Sequence, residues 1–178
     1  MKVLVIDDQK RNIASAQKLE EHGHDVVAVS TVQEAEELLT KCLGNFDAVL
    51  TDLHMPVGQF TGAMARSIPA PKEEIPVGLV FAITAANFGI RTVICTDSNH
   101  HRDWICTLLD MVHYTGDSAV RKVAFVEARC CPLEAYYDEE TQNLVGCDLE
   151  QLNDKPVVKD WFRAMRRSGL FPELIGAK

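Results

Sequence analysis

An α/β fold, a parallel sheet with helices on both faces, is predicted by three observations. Short apolar, β-branched runs recur along the chain, and residues at helical spacing fill the intervals between them. Several of the runs stop at an aspartate or a hydroxyl residue, as buried parallel strands do at a functional rim. Five such strands alternating with helices imply a doubly wound sheet, because each parallel step needs a crossover connection. The 178 residues are about the size of one domain, so 1–178 is read as a single unit.

The first strand is Lys2 to Ile6 (KVLVI), halted by Asp7-Asp8. Residues 9–23 then read as a helix, with Ile13, Ala16 and Leu19 on one face and Gly23 as the stop. Asp8 is placed to cap it. Asp25 to Ser30 is the second strand. Thr31 and Glu34 form a capping box ahead of Val32, Ala35, Leu38, Leu39 and Cys42, a helix ending near Gly44. Phe46 to Thr51 is the third strand and delivers Asp52.

Residues 53–75, with Pro56, Gly58, Gly62, Pro69 and Pro71, read as a long loop. Pro76 to Asn87 fits a buried helix or a buried strand ending at Thr84; its length and alanines favour the helix. Arg91 to Thr96 is the fourth strand, Asp103 to His113 a helix, and Lys122 to Val126 the fifth strand. Within 130–150, LEAYY and LVGC flank DEETQN and read as a hairpin or flap. Val158, Trp161, Phe162 and Met165 fall at i, i+3, i+4 and i+7 and give an amphipathic closing helix.

Composition narrows the function. Apolar residues make up 47% and charged residues 25%, which is ordinary for a globular domain, and the net charge of −8 argues against a general nucleic-acid binder. The basic group Arg163, Arg166 and Arg167 reads as a solvated helix face. No secretory leader is visible, and no apolar run reaches the roughly 20 residues that span a bilayer, so a cytoplasmic protein is expected. Cysteines 42, 95, 106, 130, 131 and 147 contain no CxxC pair and no zinc spacing. They are expected to be reduced thiols, with vicinal Cys130-Cys131 as the redox candidate.

In a doubly wound sheet, ligands gather outside the carboxyl ends of the strands. That rim collects Asp7 and Asp8, Asp52 and His54, residues 96–101, and Glu127 to Arg129. Three carboxylates in a small space repel one another unless a cation or protons sit between them. Oxygen ligands of this kind suit a hard divalent ion such as Mg2+. One carboxylate can then serve as nucleophile toward a phosphoryl group, and Asp52, at the centre of the sheet, is the candidate. His100 and His101, with His54 and Asp52 or Asp97, supply possible further rim ligands for a transition metal. The plainer reading of that stretch is a polar loop.

KVLVIDDQ and DAVLTDLHMP, at their spacing in a βαβαβ context, resemble the two most recognisable segments of response-regulator receiver domains. The resemblance is strong over residues 1–56. It implies a flavodoxin-like sheet of order 2-1-3-4-5, as in the chemotaxis-type members. It implies Mg2+ at Asp7, Asp8, Asp52 and the main-chain carbonyl of His54, with Met55-Pro56 shaping the loop. It implies Asp52 as phospho-acceptor and Thr96 as the phosphoryl-sensing hydroxyl, with Thr84 as runner-up. The partners it implies are a histidine kinase or phosphotransfer protein and a protein effector. The family's lysine-proline pair after strand 5 is not found; VEARCCP stands there, and Lys122 lies at the wrong end of the strand. A stand-alone receiver-like signalling protein is therefore the first reading. A non-phosphorylated pseudo-receiver scaffold is the second, and a small metal-dependent phosphohydrolase the third.

Overall fold

The computed structural model describes residues 1–56, 74–97, 122–147 and 155–174. In chain order these form β1 (Lys2–Ile6), α1 (Lys10–Ala16), α2 (Lys18–Glu21), β2 (Asp25–Val29), α3 (Val32–Lys41) and β3 (Ala48–Thr51). There follow β4 (Met55–Pro56), β5 (Glu74–Ile75), α4 (Val77–Asn87), β6 (Arg91–Thr96), β7 (Val123–Glu127), β8 (Ala135–Asp138), β9 (Asn143–Gly146) and α5 (Trp161–Arg167). The helix expected over 103–113 lies outside the described residues, as do His100 and His101.

Five strands make one parallel sheet in the order β2-β1-β3-β6-β7. Counted among themselves they run 2-1-3-4-5, the flavodoxin-like order also found in CheY, with its switch point between the first and third strands. Side-chain alternation sorts the core into two layers. Val3, Val5, Ala48, Leu50, Val93 and Cys95 face α1, α2 and α5 through Ala16, Leu19, Trp161 and Met165. Leu4, Ile6 and Val49 face α3 and α4 through Ala35, Leu39, Phe81 and Ala85. Continuous apolar strands are thus explained by a sheet buried on both sides. No helix among the described residues is long and apolar enough to cross a membrane.

Local departures from the expected elements have identifiable causes. The helix over 9–23 is two pieces meeting at Gln17, and the chain leaves the second through Gly23 at φ +77°. The cap expected of Asp8 is not made: Gln9 is the N-cap, and the Oδ1 of Asp7 accepts its amide at 2.9 Å. The Thr31 capping box forms, with the hydroxyl accepting from the Glu34 amide at 3.2 Å. Residues 76–87 resolve to helix, α4, preceded by a short antiparallel β4–β5 ladder inside what read as loop. Val158 precedes α5 rather than belonging to it.

The 130–150 segment contains a true hairpin, β8 paired with β9, turning through Gln142 at φ 55°. It is an excursion that ends where it began. The amide of Leu133 donates to the carbonyl of Val158, the amide of Asp160 donates to that of Cys131, both at 2.9 Å, and Pro132 bridges Lys159 antiparallel. The chain therefore returns to the tip of β7 just before α5.

Candidate functional site

Register brings the acids together. Ile6 stands beside Thr51 in the β1–β3 pair, so the next residues, Asp7 and Asp52, leave the sheet side by side. The Asp52 amide donates to the Ile6 carbonyl at 2.8 Å, fixing that level. Asp7, Asp8 and Asp52 each offer a carboxylate oxygen, and these lie within 4.8 Å of one another. Asp7 is fully buried, Asp52 is 5% exposed and Asp8 is half-buried. The convergence expected from the strand tips is present.

No lysine follows strand 5 directly, as expected, but a lysine from farther along the chain reaches the acids. Lys159 Nζ lies 2.6 Å from Asp7 Oδ2 and 3.0 Å from Asp52 Oδ1, and the side chain is 1% exposed. It enters at the end of the hairpin excursion, which is why a search just after strand 5 does not meet it. Asn12, which the sequence did not single out, holds it there together with Trp161 of the closing helix. Asn12 Nδ2 donates to both carboxylate oxygens of Asp7 at 3.0 and 3.1 Å. Its Oδ1 accepts the Lys159 amide at 3.1 Å, and its carbonyl accepts Trp161 Nε1–H at 2.9 Å. The Lys159 ammonium also lies 5.4 Å from the centre of the Trp161 ring. The available signal was VVKDW, a lysine set among Val157, Val158 and Trp161.

Thr96 is buried at the end of β6, paired beside Glu127, and Cys95 precedes it at the level of Asp52. His54 is half-buried two residues beyond Asp52. Asp97 is exposed and pairs with Arg11 at 3.7 Å rather than joining the three acids. A cleft of about 640 Å³ opens beside Asp8, between the start of α1 (Lys10, Arg11) and the hairpin side (Tyr136, Tyr137, Lys155).

Burial pushes the Asp52 carboxyl up to about 6; Lys159 works against this and Asp7 with it. Burial of Lys159 opposes its charge, yet Asp7 and Asp52 prevail and hold the ammonium well above the usual lysine range. Among the described residues, Lys159 is the buried cation set between Asp7 and Asp52. The donor set fits a hard divalent ion such as Mg2+: three carboxylates, two of them buried, whose oxygens lie within 4.8 Å of one another.

The shift of Asp52 has a sign that can be checked without metal. Its pKa in the folded chain lies above the model-peptide value of 3.8. Between those values the folded state binds more protons, so this group's contribution to stability falls as pH rises from about 4 to about 6. Urea titrations in chelator should find Asp52→Asn gaining on the wild type by on the order of 2 kcal/mol between pH 4 and pH 7. A pH-independent difference would show that the carboxyl is not held up.

No family model matches the chain, and no curated protein does. Among solved structures it is similar to a response regulator receiver domain protein from Clostridium thermocellum, at 20% identity and TM-score 0.45 over 71% of this chain and 80% of that one. A CheY-like receiver domain protein from Methanospirillum hungatei follows at 19% and 0.43, covering 71% and 79%. The N-terminal domain of a response regulator/sensory box/GGDEF protein from Carboxydothermus hydrogenoformans gives 16% and 0.40, covering 71% and 80%.

Proposed function

We propose that residues 1–178 are one receiver-like signalling domain of the cytoplasm. It binds Mg2+ at its acidic rim and accepts a phosphoryl group on Asp52. The observation that carries this reading is the Lys159 ammonium set between Asp7 and Asp52. The scaffold reading rested on the lack of a lysine after strand 5; Lys159, arriving from farther along the chain, offers a cation in that role.

In this reading Asp7, Asp8, Asp52 and the His54 carbonyl hold the cation. When bound, it neutralises charge on the phosphoryl oxygens. An Asp52 carboxylate oxygen attacks phosphorus, and the bond from phosphorus to the donor breaks, leaving an acyl phosphate. Lys159 turns from Asp52 to a phosphoryl oxygen as a charge-assisted donor, while Asn12 keeps its backbone in place. The Thr96 hydroxyl, one residue beyond the level of Asp52, reads the new group. Asp7 Oδ1 is already tied to the Gln9 amide and Asn12, which leaves it an orienting acid rather than a competing nucleophile. The cleft beside Asp8 admits the donor, a phosphohistidine on a kinase or phosphotransfer protein, and output passes through a protein effector.

Incubation with acetyl phosphate and Mg2+ tests the proposal. The wild type should gain one phosphoryl group by intact mass, and Asp52→Asn and metal-free samples should gain none. An adduct that persists in folded Asp52→Asn would move the acceptor elsewhere. Mg2+ affinity should also fall as pH drops below about 6, because protons and metal compete for Asp52; Trp161 emission, close to Lys159, offers the readout.

A further inference from the structure

Cys95 and Cys131 come from different parts of the chain and meet inside the sheet's first core layer. Their Sγ atoms are 3.9 Å apart, and both residues are fully buried, whereas the neighbouring Cys130 is exposed. Cys95 is the penultimate residue of β6, between Ile94 and Thr96. Cys131 follows the short helical turn Ala128–Cys130 that ends β7. Its amide donates to Ala128 and its carbonyl accepts from Asp160, the residue after Lys159. A disulfide brings its sulfurs to about 2.05 Å, so the pair needs to close by less than about 2 Å.

We propose that Cys95 and Cys131 are a reversible disulfide site, oxidised by peroxide, which fastens the root of the hairpin excursion to the tip of β6. The vicinal pair Cys130-Cys131, the redox candidate of the sequence, is replaced by a pair brought together only by folding. In the first step the Cys131 thiolate attacks one peroxide oxygen. The O–O bond breaks, and the departing hydroxide leaves as water with the proton that Cys131 gave up. The product is a sulfenic acid. Cys95 sulfur then attacks Cys131 sulfur and expels hydroxide, which takes the Cys95 proton. Two thiols and one peroxide become one disulfide and two waters. The contact between the thiols favours this order, since it pulls Cys131 down and holds Cys95 up. Disulfides of cytosolic proteins are mostly transient and redox-sensing, which agrees with a pair that is close but unbonded.

The bond does not depend on the phosphoacceptor reading, and its test needs no phosphoryl donor. Reduced protein is treated with hydrogen peroxide, quenched with an alkylating agent and digested without reductant. A Cys95–Cys131 linked peptide is expected, removed by dithiothreitol, retained in Cys130→Ser and lost in Cys131→Ser. Peptide mapping of the wild type decides the matter even where a buried variant fails to fold. The proposal is overturned if Cys95 stays alkylatable while Cys131 or Cys130 is oxidised. It is equally overturned if the linked peptide joins Cys130 instead.

Discussion

Replacing Lys159 with methionine is expected to destabilise the protein by about 3–5 kcal/mol in chelator at pH 7.5, the usual cost of stripping one partner from a buried ion pair. Methionine is unbranched and one heavy atom shorter, so most of the packing against Trp161 survives and the loss is chiefly electrostatic. Asp7 and Asp52 would be left facing each other beside Asp8, with no other buried cation against them among the described residues. Two remedies are open to them, and each has a signature. At pH 5 a carboxyl takes up a proton, so the deficit should shrink. With Mg2+ the ion takes the place of the ammonium, so the variant should bind the metal more tightly than the wild type and recover stability on doing so. Transfer from acetyl phosphate should nevertheless be slower, because the donor to the phosphoryl oxygen is gone. Urea unfolding at the two pH values, with and without Mg2+, separates these effects. A deficit unchanged by pH and metal would mean that Lys159 serves packing alone.

Gly78→Ala should cost at least about 3 kcal/mol, the upper end of ordinary overpacking, because the atoms in the way are main chain. A Cβ at Gly78 would lie 1.7 Å from the Asp52 carbonyl oxygen and 2.8 Å from its carbon. The Gly78 amide also donates to the Leu53 carbonyl at 3.0 Å, so the first turn of α4 is seated on the backbone that aims Asp52. Relief requires either the helix or that backbone to move, so phosphoryl acceptance should fall together with the urea midpoint. Gly44→Ala is the matched control: nothing lies within 4 Å of its Cβ position, and its effect should stay within about 0.5 kcal/mol. Equal behaviour of the two variants would remove the close approach from the account.

The sheet and its three acids were legible because the signals are local. An uninterrupted KVLVI or DAVLT can be buried on both faces only in a parallel sheet, and whatever follows such a strand stands on the rim. The helical reading of 76–87 likewise held, since Phe81, Ala82, Ala85 and Ala86 fall on a helix's buried face. Lys159 was not legible, because its place depends on where a chain returns after a hairpin, and no spacing rule fixes that. Asn12 was hidden for the same reason: on its own helix it is one polar residue among several, and its partners Asp7 and Lys159 come from opposite ends of the chain. The Cys95–Cys131 approach is tertiary too. The misplaced cap at Asp8 and the break at Gln17 reflect a different limit, since helix boundaries turn on backbone angles to which composition is nearly blind.

The bonds that gather around Asn12 and Asp7 span 147 to 152 residues of chain. Contacts of such long range are slow to form, for the intervening polymer must be brought round before they return anything. A ribosome delivers β1 and β3 with their acids long before it delivers the ammonium that balances them. Through that interval the nascent rim lacks this ammonium and can draw on protons or dissolved ions for counter-charge, and ionic conditions during synthesis therefore bear on how readily the Lys159 segment docks.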